Sequence, residues 1–313
     1  MILGFILDLI IGDPQGWPHI VRFYGKVIEF FERLFYPMKN KHLGGLLLVL
    51  CTLCSAGTVF GTAVMLAKKS LIAMIIVDAV ISWQCLAVKS LAAETDKVYE
   101  ALESNDINKA RKAVSMVVGR DTENLNEKDI ARAAIETVAE NTSDGICAPM
   151  FYLAIGGPVA GCLYKAVNTM DSMVGYRNEK YSRFGTAAAR LDDILNYIPS
   201  RLTALSMIAA SKVCGNSSKN ALRIWLRDRR KHDSPNSAQT ESVMAGALGI
   251  RLAGDAYYGG VLHKKEYIGD ADREVENKDI RSAHKIMYAA SGIFLILCEI
   301  IRGILYGSIR PWW

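Results

Sequence analysis

The sequence predicts an all-α, polytopic integral membrane protein with two polar helical cytoplasmic insertions. Two apolar blocks carry this prediction: residues 42–67 contain no acidic or basic side chain after His42, and residues 71–91 follow almost at once. Each block reaches the roughly 20 residues that a helix needs to cross a bilayer. Hydrophobic residues make up 51% of the chain and charged residues 22%, so polar segments must alternate with the spans.

Two polar regions and one further span complete the predicted membrane topology. Residues 92–145 and 215–285 form the insertions, and thirteen Lys or Arg in the second favour a cytoplasmic position. The apolar block 286–309 is expected to cross the bilayer. We treat residues 1–313 as one membrane-embedded helical domain.

Two other apolar segments are ambiguous. Residues 146–167 are interrupted by Gly156, Gly157 and Pro158, which predicts a broken or re-entrant helix. Residues 195–213 contain Pro199 and Arg201, so the pattern leaves open whether this segment crosses.

Charge and composition exclude several classes of protein. The formal charge of +5 is modest, and the basic residues lack the aromatic interleaving of a nucleic-acid surface, so no nucleic-acid partner is expected. The lipid bilayer is an expected partner. The chain also lacks a GxxxxGK[ST] loop and a GxGxxG motif, so any nucleotide must bind in a non-standard site.

The segment AAIETVAENTSDGICAP, residues 133–149, concentrates carboxylates. Glu136 and Glu140 are four residues apart and share a helix face, which is also the pattern of an ordinary solvated face. Asn141 and Asp144 follow just before the next apolar block. Carboxylates and amides of this kind suit Mg²⁺ that carries substrate phosphates.

A related pattern returns in YKAVNTMDSMVGYRNEKYSRFG, residues 164–185. The Asn-Thr-x-Asp spacing of Asn141 to Asp144 recurs from Asn168 to Asp171, which suggests two metal or phosphate stations that face each other. A chance match of four residues explains the same pattern. The loop that follows contains the polar residues Tyr176, Asn178, Glu179, Lys180 and Tyr181.

Two more segments contain candidate ligands. AARLDDILNYIPSRLTA supplies Arg190, Asp192, Asp193, Asn196 and Arg201. Arg201 lies within an apolar segment, so we expect a buried anion or carboxylate as its partner.

KHDSPNSAQTES contains a strong turn signal. Its side chains His232, Ser234, Asn236 and Glu241 also suit a phosphate or an amide. The arginine-rich run before it is interpreted as a contact with anionic lipid.

These segments together resemble the CobD/CbiB family of cobalamin biosynthesis proteins. The resemblance rests on IGDP followed by PHIVR, on AAIETVAENTSDGICAP, on GGPVAG with YKAVNTMDSMVGYRNEKY, on FGTAAARLDDILNYIPSRLTA, and on SPN with AGALG. The first of these blocks contributes Asp13, His19 and Arg22. The blocks extend over nearly the whole chain.

The resemblance implies adenosylcobinamide-phosphate synthase activity, an amide-forming ligase reaction that depends on ATP and Mg²⁺. Adenosylcobyric acid, a corrinoid substrate, would be joined to aminopropanol phosphate or ethanolamine phosphate. A carboxylate is unreactive towards an amine at neutral pH, so activation as an acyl phosphate explains the use of ATP as co-substrate. The resemblance also suggests association with other membrane-bound cobalamin assembly enzymes.

On this hypothesis the candidate residues receive roles. The expected Mg²⁺ ligands are Glu136, Glu140, Asp144 and Asp171. The expected catalytic residues are Glu136, Glu140, Glu179 and His232, with Glu179 or His232 taking the proton of the attacking ammonium. The remaining candidates are expected to bind substrate or phosphate: Asp13, His19, Arg22, Asn141, Asn168, Tyr176, Asn178, Lys180, Tyr181, Arg190, Asp192, Asp193, Asn196, Arg201, Ser234 and Asn236.

Two other functions fit the residues without the resemblance. An intramembrane Mg²⁺-dependent prenyl- or phosphotransferase would use the same Asn and Asp clusters, and a transporter would use broken helices and the intramembrane Asp78. The expected location is the cell membrane, with the active face towards the cytoplasm.

Overall fold

The structure is a computed structural model that describes residues 1–14, 16–176 and 178–307. The helices are α1 (Ile2–Ile11), α2 (Ile20–Phe35), α3 (Lys41–Ala67), α4 (Leu71–Cys85), α5 (Val88–Glu103), α6 (Ile107–Ser115), α7 (Glu127–Asn141), a π-helix (Thr142–Cys147), α8 (Ala148–Val174), α9 (Thr186–Val213), α10 (Ser218–Asp228), α11 (Ser237–Leu248) and α12 (Lys278–Tyr306). The strands are β1 (Leu252–Ala253), β2 (Ala256–Tyr258), β3 (Val261–His263) and β4 (Tyr267–Ile268).

The predicted all-α membrane fold is confirmed, because 72% of the chain is helical and four helices are long and apolar enough to cross a membrane. Among the described residues they are Lys41–Ala67 (α3), Leu71–Glu103 (α4 and α5 together), Glu127–Val174 (α7, the π-helix and α8 together) and Lys278–Tyr306 (α12). Helix α9, which contains the undecided segment 195–213, is not one of them. The predicted span 286–309 ends at two residues that lie outside the described part of the chain.

The chain divides into two compact units. The first comprises residues 1–87, 148–196 and 295–313, and the second comprises residues 88–147 and 197–294. Both predicted polar insertions, 92–145 and 215–285, fall inside the second unit. The assignment of a single domain stays a prediction.

In the first unit α3 packs against α2, α4 and α8, while α1 packs against α4. Small residues allow close approach: a Cβ atom added to Gly45 would lie 1.8 Å from the carbonyl oxygen of Phe184. Asn40 caps α3 by accepting a hydrogen bond from the backbone N–H of Leu43 at 3.1 Å. Such a cap stabilises a helix by about 1 kcal/mol.

Helix α8 is broken where the sequence predicts an interruption. Gly157 has φ 67° and ψ −165°, a conformation that side-chain-bearing residues avoid. Pro158 follows it and lacks the N–H that would bond to the preceding turn. The break therefore has a local cause in these two residues.

The described end of α12 exposes a row of apolar side chains. Ile296, Ile300 and Ile304 are four residues apart and are 63%, 55% and 77% exposed. Their spacing places them on one helix face. An apolar face of this kind suits contact with lipid chains, which agrees with the length of the helix.

The second unit is built around α7 and α11. All twelve residues of α11 are buried, including the small-residue stretch at its end. Strand β1 pairs antiparallel with β4, and β2 pairs antiparallel with β3. The two strand pairs follow α11 directly, so they bring residues 252–268 next to the helical core of this unit.

Candidate functional site

Helix α7 carries two of the predicted catalytic glutamates on one face. Asn126 caps the helix by accepting a hydrogen bond from the backbone N–H of Asp129 at 3.0 Å. Glu136 is only 5% exposed. The interpretation as a solvated helix face is therefore wrong for Glu136.

Glu136 is held by two partners in the second unit. It forms an ion pair with Arg120, and its other oxygen accepts a hydrogen bond from the backbone N–H of Ala253 at 2.6 Å. Burial alone would lower the pKa of Arg120, but the charge and hydrogen bond of Glu136 raise that pKa above its usual value. The ion pair therefore keeps Arg120 charged in a buried position.

Glu140 and the residues after it are less tightly enclosed. Glu140 is half-buried, and its Oε1 accepts a hydrogen bond from the Ser237 hydroxyl at 2.8 Å. Asn141 donates from its side chain to the carbonyl of Thr137 at 3.0 Å, so its amide holds the end of the helix. Asp144 is half-buried in the π-helix.

Glu241 on α11 is a buried acid, and one of its two carboxylate oxygens has no hydrogen-bond partner among the described residues. It is 5% exposed, and its Oε2 is buried with no hydrogen-bond partner among the described residues. Burial raises the pKa of Glu241 well above its usual range, and the charges of Glu136 and Glu140 raise it further. The neutral, protonated form of Glu241 is therefore favoured.

His232 is held as a neutral imidazole. Burial lowers its pKa, against the opposing effect of the Glu140 charge. Its Nδ1 accepts a hydrogen bond from the backbone N–H of Ser234 at 3.0 Å. The proton of the neutral ring therefore resides on Nε2, which makes His232 a hydrogen-bond donor in this arrangement.

One small cavity, which we call the central cavity, is lined by Glu136, Glu241 and His232 among others. It has a volume of about 20 Å³, room for roughly one water molecule or one ion. Three cationic or polar donors and two acids meet there. Its lining residues are Arg120, Glu136, His232, Glu241, Ala253, Gly254, Ala256 and Lys265.

Two larger cavities in the second unit share lining residues with the central cavity. Arg120 also lines a cavity of about 970 Å³ formed by the loop after α6 and the β2–β3 turn, which we call the loop cavity. His232 also lines a cavity of about 510 Å³ beside α9, which we call the arginine cavity. The central cavity therefore adjoins two spaces of substrate size.

Arg201 has no carboxylate partner among the described residues. Its guanidinium donates to the side-chain oxygen of Asn236 at 3.0 Å, to the carbonyl of Pro235 at 3.1 Å and to the Ser200 hydroxyl at 3.1 Å. All of these acceptors are neutral. The carboxylate alternative is therefore not found among the described residues, and the other alternative, a bound anion, stays a prediction.

Ser234 takes part in the local turn. Its Oγ accepts a hydrogen bond from the backbone N–H of Asn236 at 3.3 Å. The turn signal of the sequence thus corresponds to a turn that positions His232 and Asn236.

The predicted metal ligands are divided between the two units. Glu136, Glu140 and Asp144 belong to the second unit and Asp171 belongs to the first. Across residues 1–14, 16–176 and 178–307, no group of three or more His, Cys, Asp or Glu side chains is placed to hold a metal ion. The idea of two facing Asn-Thr-x-Asp stations stays a prediction, because its two halves also lie in different units.

The first unit has its own group of acidic and amide side chains, which we call the acid–amide cluster: Tyr164, Asn168, Asp171, Asp192 and Asn196. Asn196 donates to Asp192 at 2.8 Å and accepts from the Tyr164 hydroxyl at 2.8 Å. Burial raises the pKa of Asp192 to about 7, and the charge of Asp171 adds to this effect.

Two more candidates lie beside the acid–amide cluster on α9. Asp193 is half-buried, and its charge also raises the pKa of Asp192. Arg190 is exposed on the same helix.

The loop after α8 is held to α2 through an acidic side chain. Lys180 lies 2.8 Å from Glu32, and the Tyr181 hydroxyl donates to the same carboxylate at 2.8 Å. The side chain of Asn178 accepts from the backbone N–H of Tyr181 at 2.9 Å. The charge of Lys180 is therefore already balanced by Glu32.

Tyr176 and Glu179, the other candidates in this loop, are both exposed.

The N-terminal candidates shape the start of α2. His19 caps that helix by accepting from the backbone N–H of Val21 at 3.2 Å, and its Nε2 lies 3.1 Å from Asp13. Arg22 donates to the carbonyl of Trp17 at 3.2 Å. These contacts give all three candidates a role in the local fold.

Two residues of the central cavity did not stand out in the sequence. Arg120 lies in a loop, and Lys265 lies between two short strands. Lys265 donates to the Tyr258 hydroxyl at 2.9 Å. Neither residue belongs to a recognisable motif, because their position beside Glu136 and Glu241 depends on how the second unit folds.

The chain was compared with known proteins. The family model described as "CobD/Cbib protein" matches residues 1–287. No solved structure matches the chain.

Curated relatives match over nearly their full length. The "Cobalamin biosynthesis protein CobD" of Pelobacter propionicus is 49% identical over 308 residues, which cover 96% of this chain and 95% of that protein. The protein of the same name from Clostridium perfringens is 44% identical, covering 97% of this chain and 98% of that protein. The "Cobalamin biosynthesis protein CbiB" of Salmonella typhimurium is 42% identical, covering 94% of each chain.

The family match and these identities agree with the motifs in residues 133–149 and 164–185. The chain therefore belongs to the CobD/CbiB family of cobalamin biosynthesis proteins.

Proposed function

We propose that the protein catalyses the ATP-dependent condensation of adenosylcobyric acid with aminopropanol phosphate, or with ethanolamine phosphate, to give adenosylcobinamide phosphate. One observation supports this most directly: a cavity that combines acids with cations shares lining residues with each of two spaces of substrate size. A ligase that joins two substrates with ATP needs such an arrangement of charge, because it must position anionic groups and neutralise phosphate.

The proposed chemistry has two steps. The substrate carboxylate attacks the γ-phosphorus of ATP, so a carboxyl O–P bond forms, the bond to the β-phosphate oxygen breaks and ADP leaves. The amine then attacks the acyl carbon, so a C–N bond forms and inorganic phosphate leaves. The ammonium must lose two of its three protons, one to become a nucleophilic amine and one as the amide forms.

We assign that proton transfer to Glu140. It is half-buried, its charge acts on His232, and among the described residues it forms no ion pair of the kind that occupies Glu136. His232 carries its proton on Nε2, so in this proposal it donates a hydrogen bond to the substrate and does not act as the base. Arg120 and Lys265 offer positive charge to the oxyanion that forms at the acyl carbon.

The residues of the central cavity fit Mg²⁺. The Oε2 of Glu241, which has no hydrogen-bond partner among the described residues, is an oxygen ligand, and the cavity volume admits a single ion. Mg²⁺ is commonly bound by one or two carboxylates together with substrate phosphates. When bound, it supplies neutralisation of the phosphate charge.

The loop cavity is the proposed location of part of the corrinoid. It is lined by both polar and apolar groups, including Tyr257 and Tyr267, and it shares Arg120 with the central cavity. A propionate carboxylate that extends from it towards Arg120 would enter the central cavity.

The proposed location is the cell membrane with this face towards the cytoplasm, where ATP is found. We expect the loop that contains Ser182 on the cytoplasmic side as well, so a cysteine introduced at Ser182 should react with a membrane-impermeant thiol reagent only from that side. Labelling from the outer side alone would contradict this orientation. Association with other membrane-bound cobalamin assembly enzymes would be tested by co-purification in mild detergent.

The reaction is tested by turnover of detergent-purified protein with adenosylcobyric acid, aminopropanol phosphate, ATP and Mg²⁺. ADP release and corrinoid mass are followed together, and each component is omitted in turn. Product that requires all four components is expected. Corrinoid binding by folded protein without any product would contradict the proposal and is the behaviour of a carrier or transporter.

A further inference from the structure

Three guanidinium groups converge on the arginine cavity. Arg201 comes from α9, while Arg229 and Arg230 come from the segment that follows α10. The cavity, of about 510 Å³, is completed by Tyr197, His232, Asp233, Pro235 and Gln239. Asp233 is thus the one acid among the lining residues.

The positive charge of this cavity is not balanced within the described chain. Arg201 is bonded to neutral oxygens, and it lies 3.6 Å above the Tyr197 ring. Arg229 lies 4.8 Å from the centre of the Trp225 ring. Across residues 1–14, 16–176 and 178–307, none of the three arginines forms an ion pair with a carboxylate.

The neighbouring arginines contrast with this arrangement. Arg227 pairs with Asp228 and Asp270, and Arg223 also pairs with Asp270, all at 2.7 to 2.8 Å. Two arginines of the same basic run are therefore neutralised by the protein, and the next two are not. Burial lowers the pKa of Arg201, and the charge of Arg229 lowers it further, as expected where cations crowd together without an anion.

We propose that the arginine cavity binds the phosphate group of a substrate. Planar guanidinium groups match phosphate oxygens in geometry and charge, and three of them suit a dianion or a polyphosphate. His232 lines both this cavity and the central cavity, so a phosphate bound here lies beside the acids assigned to the chemistry. The inference rests on the proposed function for the identity of the substrates.

Two substrates of the proposed reaction carry this chemistry: ATP and the amino alcohol phosphate. The experiment must separate them, and it must also separate both from the phosphate of an anionic lipid. Arg229→Gln and Arg230→Gln are the informative variants, because neither guanidinium holds a backbone group. Arg201 holds the Pro235 turn, so its removal would disturb the fold.

The matched control is Arg33→Gln. Arg33 is 84% exposed and lies 4.0 Å from Glu29 on its own helix, far along the sequence from the cavity. The substitution Arg33→Gln removes one positive charge, as each cavity variant does. Thermal midpoints of all variants in detergent establish that they are folded.

Binding is measured without turnover, in nanodiscs of phosphatidylcholine, with a non-hydrolysable ATP analogue and separately with aminopropanol phosphate. Arg229→Gln and Arg230→Gln should each raise the Kd for one of these ligands at least tenfold, while Arg33→Gln leaves it unchanged. A change for the ATP analogue identifies the nucleotide, and a change for aminopropanol phosphate identifies the second substrate. Ethanolamine without phosphate should be insensitive to both variants.

Unchanged Kd values for both ligands in folded variants would overturn the inference. The inference would also be overturned if the variants altered only the response of the protein to phosphatidylglycerol in the nanodisc, which would assign the arginines to lipid. These measurements need no product. The binding result therefore still tests the arginine cavity if the condensation reaction fails.

Discussion

The two compact units each gather acidic side chains, but they stabilise them in different ways. In the second unit Glu136 is matched by Arg120, and Lys265 is close enough to oppose the protonation of Glu241. In the first unit Asp192 accepts a hydrogen bond from the neutral amide of Asn196 at 2.8 Å, and the charge of Asp171 raises its pKa. Opposite charge thus stabilises buried Glu136, whereas a hydrogen bond and a raised pKa accompany the burial of Asp192.

This difference has a chemical consequence. Charges that are held in place by counter-charges remain charged over a wide pH range and are suited to orient charged substrates. A buried acid without a cation changes its protonation near neutral pH. We therefore expect the second unit to carry the chemistry, and the acid–amide cluster to respond to pH.

The sharpest test concerns the proton-accepting group. Glu140→Gln should lower kcat by about 10²- to 10⁴-fold, the usual contribution of a general base, with little change in KM. Ser237→Ala, which removes only the hydrogen bond to Glu140, should lower kcat less than tenfold. Steady-state kinetics with all substrates would measure both.

Glu179 in the first unit is the competing candidate for the same role. If Glu179→Gln abolished turnover while Glu140→Gln retained it, the assignment of the chemistry to the second unit would be reversed.

The second test removes one member of the buried ion pair. Arg120→Met should destabilise the protein by roughly 3–5 kcal/mol, because it leaves Glu136 charged and buried without its partner. Thermal and denaturant unfolding in detergent would measure this loss. Arg120→Met combined with Glu136→Gln should recover part of it, giving a coupling free energy in a double-mutant cycle.

Additive effects in that cycle would show that the ion pair contributes nothing, and the contrast between the clusters would be lost.

The third test uses the pH response of the acid–amide cluster. The pKa of Asp192 is raised to about 7 in the folded protein, so the folded state binds more protons than the unfolded state above the ordinary Asp value near 3.8. Stability that depends on Asp192 is therefore present at low pH and falls as pH rises through this window, by up to about 1.4 kcal/mol per pH unit. Asp192→Asn should flatten this slope and raise the thermal midpoint at pH 8.

A wild-type midpoint that rises between pH 5 and 7, with the same rise in Asp192→Asn, would contradict this account.

The smallest expected effect is that of Glu241→Gln on stability. The neutral form of Glu241 is favoured in the free protein, so an isosteric amide should change the thermal midpoint at pH 7 very little. Activity should nevertheless fall, because a neutral amide lacks the negative charge with which a carboxylate attracts Mg²⁺. A large loss of stability at pH 7 would show that the carboxylate is charged and paired in the fold.

The sequence was informative where chemistry and periodicity coincide. The long apolar blocks, the break at Gly157 and the family motifs follow from local patterns, and the structure contains the corresponding helices. Glu136, Glu140 and His232 were found because they lie in dense polar motifs.

Other features depend on contacts between distant segments. Arg120 and Lys265 are ordinary basic residues in the sequence, and only the folding of the β strands against α7 places them near the acids. The neutral partners of Arg201 were missed for the same reason, since Asn236 lies 35 residues away along the chain. The segment 195–213 was undecided because Pro199 and Arg201 oppose its apolar character.

The complete burial of α11 has a consequence for variation in this protein. Every one of its twelve residues is buried, so no position offers the freedom that a solvent-facing residue has. A saturation mutagenesis library should show uniform intolerance from Ser237 to Leu248, whereas α10, with exposed Leu222 and Leu226, should show alternating tolerant positions. Among related sequences α11 should vary little at any position, whereas α10 should vary mainly on its exposed face.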